Sequence, residues 1–441
     1  MVKNKLLLIN PKNQQFYHGY RALPPIALAI VKALTPMHWQ VDVVDENFQP
    51  LPDARYDMVG ITTNTLNISK AYELAAMYRA KNSCVVLGGA HVTSMPDEAV
   101  QFADAVVVGD AENVWTELIA DFESNRLQKK YYSGDNARFL MPDISFYGHN
   151  YTMYGIETSR GCHNHCAFCG IHMPRHKNYV RKPLDMIIEE LQQSKNPFFT
   201  FVDNNFYGND DAFLMQLFEE MLKQKINKKW QTGVSVNFFN NKELVKMAAK
   251  AGAAMFFVGF ESDTGQSLKE LNKNNFRQSN NIFGDYRSII KTCHKNGIMV
   301  SGNFMLGIEG DTEQIIAERA AFFKNLGLDE CACVILTPLP ATRIFRKYHE
   351  ENRLFYTNFP DDWKHYHYGK SLVKHENISP ERLEQLAYEY NMQFRQRFSD
   401  MAAAFITTGS LKSTVFYYLY CRSFGKYSSG FFDRLASSMQ K

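Results

Sequence analysis

The 441-residue sequence has no apolar stretch approaching the roughly 20 residues that span a bilayer, which excludes an ordinary membrane-spanning helix. It has almost no excess of one charge: 49 Lys and Arg face 46 Asp and Glu, for a net charge of +3, so no nucleic-acid partner is required. It carries no phosphate-loop or dinucleotide fingerprint. Residues 1–10 contain too short an apolar run for a signal peptide and read instead as a first strand, so a reducing cytoplasm is the expected compartment for the eight cysteines. A hydrophobic content of 45% and a charged content of 22% fit a folded chain, long enough for two or three domains.

What the sequence does have is Ser159-Arg160-Gly161-Cys162-His163-Asn164-His165-Cys166-Ala167-Phe168-Cys169-Gly170. Three thiolates this close bind one iron–sulfur cluster without filling it, since a [4Fe–4S] cluster normally takes four cysteines. The remaining iron keeps an open position, as catalytic metal sites do. Zinc is the competing ligand, with His163 and His165 as further donors, but no convincing second ligand pair follows downstream. Ordinary buried thiols are the other alternative.

Residues 1–140 read as a doubly wound, Rossmann-like α/β domain, because short apolar runs alternate with helical patterns. Strands are expected at Leu6–Ile9, Val41–Val44, Met58–Thr62, Val85–Leu87 and Ala105–Val108. Ligands of such sheets bind at the strands' carboxyl ends. Thr62-Thr63-Asn64, Gly88-Gly89 and Gly109-Asp110 all fall there. A linker is expected over 141–150. Residues 151–345 then repeat βα units, as a partial (β/α)6 barrel would, with strands at 198–202, 232–237, 254–260, 299–306 and 330–336. Each ends in polar or glycine-containing residues, where barrels place active groups. Residues 346–441 read as a mostly helical lobe.

The C-x3-C-x-aromatic-C spacing, with Phe168 as the aromatic, resembles the radical S-adenosylmethionine (SAM) enzymes. The order Pro24-Pro25-Ile26-Ala27-Leu28, Asp45-Glu46, Gly88-Gly89-x-His91, Gly109-Asp110-x-Glu112 resembles the cobalamin-binding domain that precedes the radical domain in one branch of that family. Ala90 and Ala111 depart from that pattern, where proline and glycine are common. The resemblance implies three cofactors: a [4Fe–4S] cluster on Cys162, Cys166 and Cys169, SAM on its open iron, and cobalamin. It places cobalamin against Thr62, Thr63, Asn64, Gly88, Gly89, His91, Gly109, Asp110 and Glu112. The motif Asp-x-His-x-x-Gly, which supplies an axial histidine in other cobalamin proteins, is absent, so the cobalamin is expected base-off and His-off. His91 itself fits a loop histidine bonded to backbone.

Given SAM as ligand, Glu261 suits its ribose diol, with Gly259 giving clearance, and Gly307 and Gly310 suit close approach to adenine. Asp203 and Asn204 suit the methionine end or the substrate. Ser235 with Asn237, and Ser301 with Asn303, are polar pairs on apolar strands, each pair sharing a face. Internal hydrogen bonding explains any one of them equally well. Leu271-Asn272-Lys273 resembles the family's helix after the ribose strand, and Arg181 suits either a carboxylate or phosphate near the mouth or a surface ion pair. No side chain is needed as a nucleophile, and none is assigned as catalytic.

Cys331 and Cys333 share one side of an apolar strand and read as small buried hydrophobes. The lack of an amino-terminal cysteine triad argues against methylthiotransferases. Asp361–Tyr368 reads as a polar, aromatic loop whose His365 and His367 share a face. Ser379-Pro380 begins a helix running to about Met401. The basic, aromatic tail around Val415–Tyr420 fits either docking on the barrel or peripheral membrane contact.

The activity implied is methylation of an unactivated carbon: a 5′-deoxyadenosyl radical abstracts a substrate hydrogen and methylcobalamin delivers the methyl group. An electron donor such as flavodoxin or ferredoxin is implied as partner, with a small-molecule, peptide or lipid substrate. The same motifs would serve a cobalamin-dependent radical oxidoreductase, cyclase or ring-rearranging enzyme; the intact cysteine triad and Glu261 argue against a non-catalytic cobalamin sensor, and the low net charge and lack of an appended RNA-binding domain against a zinc-binding nucleic-acid modifier.

Overall fold

A computed structural model describes residues 4–12, 23–134, 137–146, 151, 153–172, 179–273 and 279–395. The tail around 415–420 and Cys421 lie outside them, as does the continuation of the last helix past 395.

Two parallel sheets organise the chain. The first contains β1 (Asn4–Asn10), β2 (Trp39–Asp45), β3 (Met58–Thr63), β4 (Cys84–Gly89), β5 (Ala105–Val108) and β6 (Lys130–Tyr132), in the order β2-β1-β3-β4-β5-β6. Its strands are apolar almost throughout because both faces are covered. Leu7, Ile9, Val59, Ile61, Val85 and Leu87 pack on one side against α2 (Ile68–Ala80). Leu6, Leu8, Met58 and Val86 alternate to the other side, with Leu28 of α1 (Ile26–Leu34). After β4 come the short α3 (Ala90–Ser94) and α4 (Pro96–Ala99). Trp115 and Leu118 of α5 (Trp115–Glu123) complete the second face. This is the doubly wound domain expected, and its winding reverses between β1 and β3, where such sheets open a ligand crevice.

The second sheet runs β14-β13-β12-β11-β10-β7, six parallel strands in consecutive order, as a partial barrel requires. They are β7 (Tyr154–Ile156), β10 (Phe198–Phe201), β11 (Lys229–Val234), β12 (Ala253–Glu261), β13 (Met299–Leu306) and β14 (Glu330–Ile335). A two-stranded antiparallel ribbon, β8 (Ser159–Arg160) and β9 (Val180–Arg181), flanks the cysteine loop. Helices α6 (Leu184–Gln193), α7 (Asp211–Lys223), α8 (Lys242–Lys250), α9 (Gly265–Glu270), α10 (Ile282–Lys295) and α11 (Glu313–Asn325) connect the barrel strands. Side-chain oxygens of Asp210, Asn241, Thr264, Asn281 and Thr312 cap all but the first of these at their amino ends.

The open edge at β14 is covered by α13 (Pro380–Arg395), whose Asn391 side chain bonds the Cys333 backbone N–H and carbonyl at 3.0 and 2.7 Å. A side-chain amide thus does what a seventh strand would do. Cys333 is buried there and Cys331 packs against the same core.

Three local expectations need correction. The strand expected to reach Asn237 stops at Val234, and Val236–Asn240 form a tight 3-10 turn, so Ser235 and Asn237 do not share a strand face. Leu271-Asn272-Lys273 lies just past α9, with Asn272 in left-handed backbone (φ 48°). Asp361–Tyr368, expected as a polar, aromatic loop, begins with a 3-10 turn over Asp361–His365. Between α12 (Arg343–Glu350) and α13 it drives Trp363 and Tyr366, 1% and 0% exposed, into the core of the first domain. Aromatic burial outweighed the polar neighbours that made the segment look like a loop.

Candidate active site

The cysteine loop is fastened by its backbone. Ala167 N–H donates to Leu271 O at 2.9 Å and its carbonyl accepts from Ile344 N–H at 3.2 Å. The His165 carbonyl accepts from the Asn272 amide at 2.6 Å and from Arg343. His165 therefore serves the loop through its main chain, while His163 packs on the ring of Tyr179. Cys166 is buried and Cys162 and Cys169 half-buried, all three as free thiols. Burial pushes the Cys169 thiol up to about 11 and raises Cys166 as well, with Lys273 opposing both. Such thiols ionise when they meet a metal centre. Among the described residues no three His, Cys, Asp or Glu side chains close on one metal-ion-sized point.

Glu261 ends β12 beside this loop. It is 6% exposed, and its backbone is left-handed (φ 66°), a conformation that costs a non-glycine residue about 1–3 kcal/mol. Lys273 Nζ donates to its Oε1 at 2.8 Å. Gly259 lies beneath the pair: a Cβ there would meet Glu261 Oε1 at 2.5 Å and Lys273 Nζ at 2.9 Å. The clearance expected of Gly259 is thus clearance for the Glu261–Lys273 pair. In the sequence Lys273 stands out only as part of the Leu271-Asn272-Lys273 run. Its signal was a basic residue one turn past the ribose strand's helix, facing a loop of thiols.

Asp203 turns inward. Its Oδ1 accepts from Thr158 N–H (3.0 Å), Thr158 Oγ1 (2.9 Å) and Ser159 Oγ (2.5 Å), and its buried Oδ2 has no partner. Burial pushes its pKa up to about 7. Both side-chain atoms of neighbouring Asn205 are also buried and unpartnered, as is Ser235 Oγ. Arg181 donates to the carbonyls of Phe206 and Tyr207, so it caps the β10 loop rather than forming a surface ion pair. Arg319, fully buried, binds Asp263 Oδ1 at 2.9 Å and both oxygens of Asp311 at 2.8 Å, joining the end of β12 to the Gly307–Gly310 loop. Gly307 faces Leu383 and His375 of the carboxyl-terminal lobe, and Gly310 faces open space.

At the first domain, Thr62, Gly88, Gly89, Gly109, Asp110 and Glu112 line a largely apolar cavity of about 220 Å³, floored by Leu8, Ile26 and Trp115. Gly89 has φ 107°, and a Cβ on it would strike Thr63 O at 2.3 Å. Thr63, Asn64 and His91 are not among the lining residues. Thr63 Oγ1 bonds Gly88 O, and Asn64 closes a turn onto Leu66 and Asn67. His91 is 1% exposed, bonding Thr65 Oγ1 at 3.2 Å and Glu98 Oε1 at 3.4 Å, so it points into the domain. His365 stacks on Tyr356, and burial holds His367 down at about 4.

A second cavity of about 720 Å³ is shared by both domains. Thr65, Ala90, Thr93, Ser94 and Asp110 line it from the first. Phe168, Cys169, Asn204, Glu261 and Asn303 line it from the barrel, and Met305, Leu336, Leu339, Pro340 and Tyr368 form an apolar wall. Ser301, buried on β13, is not among its lining. The thiol loop and the acid suited to a ribose thus open on one space, and Asp110, Glu157 and Arg160 border both it and the glycine-lined cavity. The chemistry of these donors fits the cofactors expected of them.

Arg160 borders both cavities. Its guanidinium reaches Asp110 at 2.9 Å, Glu112 at 2.5 Å and Glu157 at 2.8 Å, and lies over the Phe139 ring. The sequence held Arg160 in plain view beside Cys162, but nothing local gave it a partner 50 residues away.

Residues 156–323 match the Radical SAM superfamily model, and residues 20–119 match the B12 binding domain. Bacteriochlorophyllide d C-8(2)-methyltransferase of Chlorobaculum tepidum is 29% identical over 83% of this chain and 83% of its own length. The C-12(1)-methyltransferase of the same organism is 27% identical over 86% and 85%. The radical S-adenosylmethionine methyltransferase TsrM from Kitasatospora setae, solved with cobalamin and a [4Fe–4S] cluster, shares the fold with a TM-score of 0.66 at 17% identity, over 81% of this chain and 76% of that one. Fold and site together define a radical SAM enzyme with a cobalamin domain in front of its barrel. Residues 20–119 and 156–323 thus carry a B12 binding domain and a radical SAM domain, and the cofactors these domains imply are a [4Fe–4S] cluster, SAM and cobalamin.

Proposed function

We propose that this enzyme is a methyltransferase acting on an unactivated carbon of a small, largely apolar molecule, with a tetrapyrrole as the leading class. The observation that carries the reading is the single cavity of about 720 Å³ onto which Cys169, Glu261 and the Asp110 loop all open. A substrate there would be within reach of two cofactors at once, as transfer of a methyl group to a substrate radical needs. Both curated relatives act on bacteriochlorophyllide d. The apolar wall of Met305, Leu336, Leu339 and Pro340 suits a flat hydrophobic ligand.

Cys162, Cys166 and Cys169 would hold the cluster, with SAM on its open iron. The edge lined by Thr62, Gly88, Gly89 and Gly109 would hold cobalamin. Bound there, these groups supply a hydrogen-abstracting 5′-deoxyadenosyl radical and a transferable methyl group. The chain's own residues bind and shield. Glu261 would accept from the SAM ribose hydroxyls, Lys273 holds that carboxylate in place through their ion pair, and Arg319 holds the two flanking loops in register. Asn204 and Asn303 offer amides to the polar parts of SAM or substrate. The apolar wall excludes water from a radical that would otherwise be quenched. A flavodoxin- or ferredoxin-like donor and a reducing cytoplasm suit such a cluster. Among the described residues no helix is long and apolar enough to cross a membrane.

The test is anaerobic reconstitution with iron, sulfide and hydroxocobalamin, then incubation with SAM, a reductant and a chlorin. Mass spectrometry should find 5′-deoxyadenosine, S-adenosylhomocysteine and a product heavier by one methylene. 5′-Deoxyadenosine without S-adenosylhomocysteine would turn the reading to a cyclase or oxidoreductase. Replacing any one of the three cysteines by Ala should abolish SAM cleavage.

A further inference from the structure

We propose that Arg160 is a positioning residue that fixes the cobalamin domain against the cysteine loop, and so sets the placement of the two cofactor sites relative to each other. The inference rests on the cofactor assignment above and goes beyond it, because it gives Asp110 and Glu112 a partner in the protein.

The geometry is that of a pin through two domains. β8 has only two residues, and successive side chains of a strand point to opposite faces. Ser159 points into the barrel and donates to Asp203 at the end of β10. Arg160 points the other way, to Asp110 and Glu112 at the carboxyl edge of the first sheet. Cys162 follows two residues later. Whatever moves the Gly109–Glu112 loop therefore moves β8, and with it the start of the cysteine loop.

The contact is built for rigidity. Arg160 is 5% exposed, and its planar fork meets three carboxylates along different directions, with Glu157 taking Nε as well as Nη2. The Arg138 carbonyl accepts from Nη1 at 3.3 Å, and Phe139 covers the guanidinium face with its centroid 4.8 Å away. One cation between two buried carboxylates and the half-buried Glu157 cannot leave without stranding buried charge, so the two domains are held together here by more than apolar contact.

A lysine at this position keeps the charge but is a point donor that cannot span Asp110, Glu112 and Glu157 together. The experiment uses holoenzyme loaded with cob(II)alamin and reduced cluster, comparing wild type, Arg160→Lys and Arg160→Met. Electron paramagnetic resonance reads the magnetic coupling between the two centres. The ratio of S-adenosylhomocysteine to 5′-deoxyadenosine, formed from SAM alone, reads whether SAM's methyl still reaches cobalamin. In Arg160→Lys the coupling should change and the ratio should fall by up to about 10²-fold, as misplacements near 1 Å do elsewhere. Asp110→Asn with Glu112→Gln, which attacks the pin from its other end, should shift both signals the same way. Wild-type coupling in Arg160→Lys and in the Asp110/Glu112 variant overturns the proposal. If Arg160→Met does not fold, those two variants decide. The coupling needs no methyl transfer, so it still judges Arg160 if wild type forms no S-adenosylhomocysteine and the methyltransferase reading falls.

Discussion

Lys273 and Glu261 form an ion pair at 2.8 Å, with side chains only 13% and 8% exposed, against a loop of three thiols. Burial alone would lower the lysine's pKa, yet the carboxylate and the neighbouring cysteines raise it. The lysine therefore stays charged beside its partner, and removing either side chain leaves the other buried without its ion-pair partner. Lys273→Met should destabilise the protein by about 3–5 kcal/mol, the usual cost of an uncompensated buried charge. Pairing Lys273→Met with Glu261→Gln should recover part of that loss, because the two changes share one interaction. Anaerobic denaturant unfolding of the two single variants and the double variant measures both quantities. Additive losses would show that the pair is not coupled.

Much of this architecture was legible because it depends on local patterns. Apolar runs such as Leu6–Ile9 and Met299–Leu306 give both sheets, and the thiol spacing gives the cluster loop. Glu261 was legible as the acid ending a strand. The Arg160 cluster, the Trp363 anchor and Asn391 on β14 were not, because each joins residues 48 to 265 positions apart. Nothing in a polar stretch such as Asp361–Tyr368 says which aromatic will be buried, since that depends on a surface folded elsewhere. Ser235 and Asn237 misled for a different reason: their alternation is strand-like, but the backbone had already turned at Val234.

Gly89 is a place where one methyl group decides geometry. Its φ of 107° is foreign to side-chain-bearing residues, and the added carbon would sit 2.3 Å from Thr63 O and 2.7 Å from Thr63 N, both main chain. Neither atom can swing aside as a side chain does. Gly89→Ala should shift the sheet edge, and a distortion of about 2 kcal/mol would weaken cobalamin binding by roughly thirtyfold. The visible absorbance of bound cobalamin during titration measures this. Iron content should be unchanged, since the cysteine loop is fastened to Leu271, Asn272, Arg343 and Ile344 instead.

Asp203 gives the fold a pH dependence of definite sign. Burial raises its pKa from 3.8 to about 7, and the hydroxyls of Ser159 and Thr158 only partly oppose that shift. The folded state thus prefers the neutral acid. The stability it contributes is fully present below pH 3.8 and is lost as pH rises to about 7, beyond which the contribution is flat. Asp203→Asn removes the titrating group. The difference in unfolding free energy between wild type and this variant should therefore change across that window and stay constant above it. A difference independent of pH would mean that Asp203 is ionised at ordinary acidity in the fold.

Trp363 anchors the carboxyl-terminal lobe to the cobalamin domain rather than to the barrel. Its Nε1 donates to Glu98 at 2.9 and 3.1 Å, Glu98 also accepts from Tyr72 at 2.7 Å, and the indole stacks on Phe359 with its edge near His91. Glu98 therefore ties the lobe to α2 and α3, directly behind the glycine-rich loop. Trp363→Ala should cost about 3–5 kcal/mol from the lost indole volume. Trp363→Phe keeps an aromatic ring and leaves Glu98 short of one donor, which should cost about 1–3 kcal/mol. Hydrogen exchange then separates packing from anchoring. If Glu98 is the anchor, residues 90–99 and 360–372 should lose protection together in the Phe variant. Protection lost only in 360–372 would show that apolar packing alone holds the lobe and that the Trp363–Glu98 bond is incidental.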